Sequence, residues 1–183
     1  MHLGHLILAE EVREKKQLDR VIFIPTYLPP HKNNGDIADA ARRLGMVRLA
    51  IKGNRHFMVS DIEIRRKGRS YTIDTARAIK KKYPRDKLFF IIGSDLLKYL
   101  EEWKDLAQIA RIVSFIVATR PGYSLEDISL RIAADKAVMS TVPIRAVDIS
   151  GFQVRECIKK GRSFRYLVPE AVFRYITKHN LYT

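Results

Sequence analysis

The chain has 183 residues, with 34 lysines and arginines against 20 aspartates and glutamates and a formal net charge of +14. At 46% hydrophobic and 30% charged it has the composition of one globular domain with a sizeable core, and no apolar run reaches the roughly 20 residues of a membrane span. The charged run Glu10, Glu11, Arg13, Glu14, Lys15 and Lys16 comes too early for a secretory signal, and the single Cys157 excludes a disulfide framework and fits a reducing cytoplasm.

From Gly4 to about Gln17, Leu6, Ile7, Ala9 and Val12 recur at helical spacing. "RVIFIP" (Arg20–Pro25) is short, apolar and β-branched, and predicts a buried strand. The loop "TYLPPHKNNGD" follows, made irregular by its prolines, Asn33-Asn34 and Gly35. "ADAARRLGMVRLAIKGN" returns to helical period and ends at Gly53-Asn54, and "FMVSDIEIRRKG" alternates as a strand should until Lys67-Gly68. "SYTIDTARAIKKKYP" predicts a helix with Ser70 and Thr72 as N-cap candidates, Asp74 in its first turn and lysines at its end. "KLFFIIGSD" is the strongest strand and ends in a glycine turn, and "SFIVATRPG" is another. "PIRAVDIS" alternates weakly before a helix from about Gly151, and "VPEAVFRYITKHNLY" closes the chain as an amphipathic helix. Alternating strands and helices, with near-continuous apolar strands, predict an α/β domain over residues 1–183. Its core is a doubly wound parallel sheet, with the C-terminal helices from about 151 packed at its end. Ligands of such sheets bind beyond the C-terminal ends of the strands.

Several residue groups fall at those ends. His2, Gly4 and His5 lie at a helix start, where two imidazoles and free amides suit phosphate oxygens. The plainer alternative is a disordered terminal residue for His2 and a capping or core role for His5. His31 and Lys32 sit on the proline-rich loop, where a cation meets phosphate or merely solvent. Asp95 ends the most apolar strand and suits a ribose hydroxyl, or serves as N-cap to Leu96–Leu100. Trp103, the only tryptophan, suits stacking on a flat heterocycle or the edge of the core. Ser150, Gly151 and Arg155 suit a polyphosphate cradle at a helix start. No third histidine or cysteine stands at metal-ligand spacing, so no protein-held metal site is expected. The net charge favours anionic partners. Its clusters at Arg65–Arg69, Lys80–Lys82 and Lys159–Arg162 are not interleaved with aromatics, so they read as solvated surface and not as a nucleic-acid footprint.

Taken in order, "HLGHL", "PTYLPPHK", "RLGMVRLAI", "SYTIDT", "FIIGSD" with Trp103 after it, "VATRPGY" and "LVPEAVFRYITKHNLY" resemble the nucleotidyltransferase α/β-phosphodiesterase superfamily. Within it they resemble the bacterial nicotinate-nucleotide adenylyltransferase family. His-x-Gly-His alone covers the superfamily; "SYTIDT" followed by "IIGSD" and Trp narrows it. The resemblance implies a Rossmann-like fold and transfer of AMP from ATP, with Mg2+, to nicotinate mononucleotide, giving deamido-NAD and pyrophosphate without a covalent intermediate. It implies phosphate-binding and catalytic roles for His2 and His5, and a mononucleotide role for Lys32. It further implies nicotinate binding by Thr72 and the Ile73 amide, ring stacking by Trp103, and a mononucleotide-side place for Arg120. Gly93 and Asp95 match the strand-end Gly-x-Asp, and Ser150 and Arg155 match the C-terminal phosphate motif. The partners implied are small molecules in the cytoplasm, with no nucleic acid or membrane and with a homodimer left open.

Two departures stand out. Where the family reads Ile-Ser-Ser-Thr-x-Ile-Arg, this chain reads Ile149-Ser150-Gly151-Phe152-Gln153-Val154-Arg155, which removes two hydroxyls. The family also places a strand and a Gly-Gly-(Ser/Thr)-Phe-Asp-Pro turn before His-x-Gly-His. The expectation is therefore a sheet without its central first strand, which a misplaced start codon or a truncated chain explains better than a natural one. The rival readings are a catalytically impaired nucleotide-binding protein and a phosphopantetheine adenylyltransferase.

Overall fold

The computed structural model describes residues 1–29, 37–119, 138–145 and 147–183. Its elements run α1 (Leu3–Lys15), β1 (Val21–Phe23), α2 (Ala40–Ile51), β2 (Phe57–Val59), α3 (Ile62–Arg66), α4 (Thr72–Lys82) and β3 (Phe89–Gly93). A 3-10 segment (Ser94–Glu102), α5 (Leu106–Ile112), β4 (Ser114–Thr119), β5 (Met139–Pro143), α6 (Gly151–Lys159) and α7 (Glu170–Lys178) follow. Among the described residues, no helix is long and apolar enough to cross a membrane.

β4 shows how the layers form. Alternate residues of a strand face opposite sides, and here both sides are apolar. Phe115 and Val117 pack with Ile73 and Ala76 of α4 and Ile109 of α5. Ile116 and Ala118 pack on the other side with Val12 of α1 and Val142 of β5. Helices thus cover both faces, as the near-continuous apolar strands predicted. Phe115 is 1% exposed, and truncating such a side chain to alanine costs about 3–5 kcal/mol. A separate cluster joins Met46 of α2, Val154 of α6, and Val172 and Ile176 of α7. There Gly45 admits Tyr175, whose hydroxyl would lie 3.2 Å from a Cβ at that position.

Among the described residues all strand pairs are parallel, but they form two sheets: β1 with β2, and β3–β4–β5. β1 and β3 each have a hydrogen-bonded strand neighbour on one side only among the described residues. Ile91 of β3 packs both against the cluster holding Val21 and Phe57 and against the cluster holding Ile116. The division falls between β1 and β3, and Phe89, at the start of the strongest predicted strand, is 42% exposed.

Three sequence expectations need correction. The alternating stretch is a strand only over Phe57–Val59, and Ile62–Arg66 turns into α3. The helical turn lets Arg65 pair with Asp61 at 3.0 Å and lets buried Glu63 accept the Thr75 hydroxyl at 2.6 Å. The N-cap of α4 is Tyr71, not Ser70 or Thr72, because Ser70 is engaged with the segment after β1. The last strand is Met139–Pro143, so most of "PIRAVDIS" is connection.

Candidate active site

α1 and α6 bring their N-termini together. His2 is the N-cap of α1 and is buried, 7% exposed, not the loose terminal residue its position suggested. Its ring lies on that of His5 with centroids 3.7 Å apart, and its backbone N–H donates to His5 Nδ1 at 3.5 Å. The capping role and a phosphate role are therefore compatible in His5. A Cβ on Gly4 would press on the His2 ring at 3.1 Å and touch the Ile149 carbonyl at 3.4 Å, so glycine lets the His2 ring settle against α1 without shifting. From α6, a Cβ on Gly151 would lie 3.4 Å from Arg155 Nη1 and 4.0 Å from His2 Cδ2.

Ser150 is the N-cap of α6. Its Oγ accepts the Gln153 N–H at 3.1 Å, and its own N–H donates to Gln153 Oε1 at 2.7 Å. This capping box occupies two of the four amides that a helix start leaves over. The Gly151 and Phe152 amides remain as outward donors, and Phe152 itself is 65% exposed.

The cleft between the helices is lined by Met1, His2, Gly151, Arg155 and Tyr182, with Met46, Val154, Val168 and Ile176 as its apolar floor. Burial, then Arg155 and Arg43, push the Met1 ammonium below its ordinary value, while burial raises the Tyr182 phenol. Burial, with the Met1 ammonium adding to it, lowers the His5 imidazole to about 4. His5 is exposed as a residue, while its ring is covered on one side by that of His2. At neutral pH it is uncharged, and since Nδ1 accepts the His2 N–H, the proton is assigned to Nε2, which is left as the ring's donor.

A second group lies around α4 and the 3-10 segment. Tyr71 and Trp103 pack on the same core cluster. Trp103 meets Phe90 edge-on at 5.3 Å and Phe115 at 6.5 Å, so it is a core-edge residue with part of its surface outside. Lys104 Nζ lies 4.7 Å over the Tyr71 ring. Thr72 opens α4 and is half-buried, and Ile73 behind it is 1% exposed. Asp95 is exposed and folds back over Gly93, where its carboxylate would collide with any Cβ. Asp95 lies in the first turn of the 3-10 segment and does not cap it, since the N-cap is Gly93. Lys32 and Arg120 lie outside the described residues.

Sequence reading missed Arg43, Ser70 and Tyr182. A signal existed for Arg43 alone, as a charge one turn before buried Met46 on an otherwise apolar face. Among the described residues no three His, Cys, Asp or Glu side chains converge as a metal site.

A parallel α/β core with paired histidines and two helix N-termini at one cleft is the architecture of a nucleotidyltransferase, and residues 1–157 match the cytidylyltransferase-like family. Over 181 residues the chain is 40% identical to the probable nicotinate-nucleotide adenylyltransferase of Bacillus pumilus, covering 99% of this chain and 92% of that one. It is 37% identical over 181 residues to the nicotinate-nucleotide adenylyltransferase of Bacillus subtilis, with the same coverage of 99% and 92%. The chain belongs to the nicotinate-nucleotide adenylyltransferase family. The Plasmodium falciparum nicotinic acid mononucleotide adenylyltransferase complexed with NaAD superposes with a TM-score of 0.78 at 16% identity, over 100% of this chain and 91% of that one. That likeness is one of fold.

Proposed function

We propose that this chain transfers the adenylyl group of ATP to nicotinate mononucleotide, giving deamido-NAD and pyrophosphate in the cytoplasm. The observation that carries the reading is the meeting of the α1 and α6 N-termini at one cleft, with His2, on which His5 stacks, on one side and Gly151 and Arg155 on the other. An oxygen of the mononucleotide phosphate attacks the α-phosphorus of ATP. The bond from that phosphorus to the bridging oxygen breaks in line, and pyrophosphate leaves with the electron pair. Little covalent chemistry is asked of the protein, which positions the reactants and spreads the charge.

His5 Nε2–H, His2 and the Gly151 and Phe152 amides donate to phosphate oxygens in this scheme, and Arg155 holds the departing pyrophosphate. Gly93 and Asp95 take the ATP side of the strand end, where the carboxylate accepts ribose hydroxyls. Thr72 and the Ile73 amide bind the nicotinate carboxylate, Trp103 stacks on the pyridine ring, and Lys32 and Arg120 hold the mononucleotide. With no converging set of carboxylates or imidazoles among the described residues, Mg2+ enters as part of the MgATP substrate, on phosphate oxygens.

Pyrophosphate release with MgATP tests the reading. Nicotinate mononucleotide should turn over faster than nicotinamide mononucleotide. Equal rates would remove the nicotinate assignment, and no release with either would remove the activity.

A further inference from the structure

The scheme above leaves unused a set of polar groups behind the start of α4. Ser70 is 7% exposed. Its Oγ accepts the Tyr27 N–H at 2.9 Å, and its own N–H donates to the Leu28 carbonyl at 2.9 Å. Next to it Leu28 bridges Arg69 in parallel. The segment after β1 is thus paired, residue by residue, with the approach to α4.

Arg43 of α2 holds the same segment from the other side. Nη2 donates to the Tyr27 carbonyl at 2.9 Å, Nη1 to Thr26 Oγ1 at 3.3 Å, and Nε to the Ala38 carbonyl at 2.9 Å. A guanidinium suits this work because its donors form a rigid planar fork. Within α4, Thr75 donates to Glu63 Oε1 at 2.6 Å and accepts from Arg66 Nη2 at 3.1 Å, so the first turn is also held from behind.

Buried polar groups are poor value for stability compared with apolar packing, and their distinct contribution is direction. The direction fixed here is that of the Tyr71–Ile73 backbone. We infer that Ser70, backed by Arg43, is a positioning residue for the mononucleotide: it locks Thr26–Leu28 to the start of α4 so that Thr72 and the Ile73 amide face the nicotinate carboxylate. This rests on the adenylyltransferase reading. ATP binding should be spared by Ser70, because the histidine pair and Arg155 hang on α1 and α6, and α1 is tied instead to the segment between α6 and α7, by the Leu3 N–H to Leu167 carbonyl bond of 3.0 Å.

Isothermal titration of the full chain with nicotinate mononucleotide and, separately, with MgATP tests the inference. Ser70→Ala orphans the Tyr27 N–H and should weaken mononucleotide binding about five- to tenfold, with the ATP Kd within twofold. Ser70→Thr, which keeps the acceptor, should restore binding. Should Ser70→Ala not fold, Thr26→Val removes one arm of the Arg43 clamp at constant shape, and the same selective loss is expected at about two- to threefold. Unchanged binding of both ligands, or equal weakening of both, overturns the positioning role while the adenylyltransferase reading stands. Wild-type protein that binds ATP but not nicotinate mononucleotide overturns both.

Discussion

Replacing His5 by alanine is the most direct probe of the cleft. At pH 7 the ring is neutral, its Nδ1 is occupied by the His2 N–H at 3.5 Å, and Nε2–H is its only donor. In the proposed scheme that donor meets oxygens whose charge grows as the α-phosphorus is attacked, so its loss should appear in kcat and not in mononucleotide affinity. Removing one preorganised donor costs about 2.7–4 kcal/mol, or roughly 100- to 1000-fold in kcat. His5 is an exposed residue, so water replaces part of the lost bond and the expectation is the lower end, about 100-fold. His5→Gln, which carries an amide donor, should recover part of it. Stopped pyrophosphate-release assays of the two variants, with titration calorimetry for binding, supply the numbers. The neutral ring also sets the pH response. Its folded value of about 4 lies below the ordinary 6.5, so between those values the unfolded chain takes up a proton that the fold refuses. Its contribution to stability is complete above about 6.5 and falls as pH drops toward 4. A His5→Ala enzyme with unchanged kcat and only a lower Tm would make His5 a capping residue and nothing more.

Trp103→Ala should raise KM for nicotinate mononucleotide about two- to tenfold, the range of one aromatic stacking interaction. Trp103→Phe should keep the packing against Phe90 and Phe115, and wild-type fluorescence that ignores the mononucleotide would assign Trp103 wholly to the core. Gly151→Ser should lower KM for ATP about fivefold, one neutral hydrogen bond's worth. The new side chain would stand at ordinary contact distance, 3.4 Å, from Arg155 Nη1, and an unchanged or raised KM would show that the Gly151 and Phe152 amides already satisfy the phosphate.

Much of the core was legible because its signals are local. β3 and β4 announce themselves as apolar runs, and α1, α2, α4 and α7 by their period. The paired histidines were legible as a motif, but their stacking and the proton on Nε2 were not, since both depend on how α1 meets α6. α3 was misread because Ile62 and Ile64 alternate with charged residues, although the residue that is actually buried is Glu63. Ser70 looked like a cap because serine before an apolar run usually is one. Its bond goes instead to Tyr27, 43 positions away, and no local pattern encodes such a partner. Arg43 and Tyr182 share that difficulty, since they meet near the cleft from α2 and from the chain's end.

The division between β1–β2 and β3–β4–β5 bears on how the two halves breathe. β4 lies between two paired strands, and its Ile116 and Val117 are 0% exposed. β1 and β2 share a ladder of three residue pairs. Amide exchange at β4 therefore requires opening of the whole core, whereas the short ladder can open by itself at lower free energy. The Thr26–Leu28 segment hangs from the weaker ladder, while Gly93 and Asp95 hang from the stronger one. A ligand held by both would be felt first as slowed exchange at Val21–Phe23, with Ser114–Thr119 already at its limit.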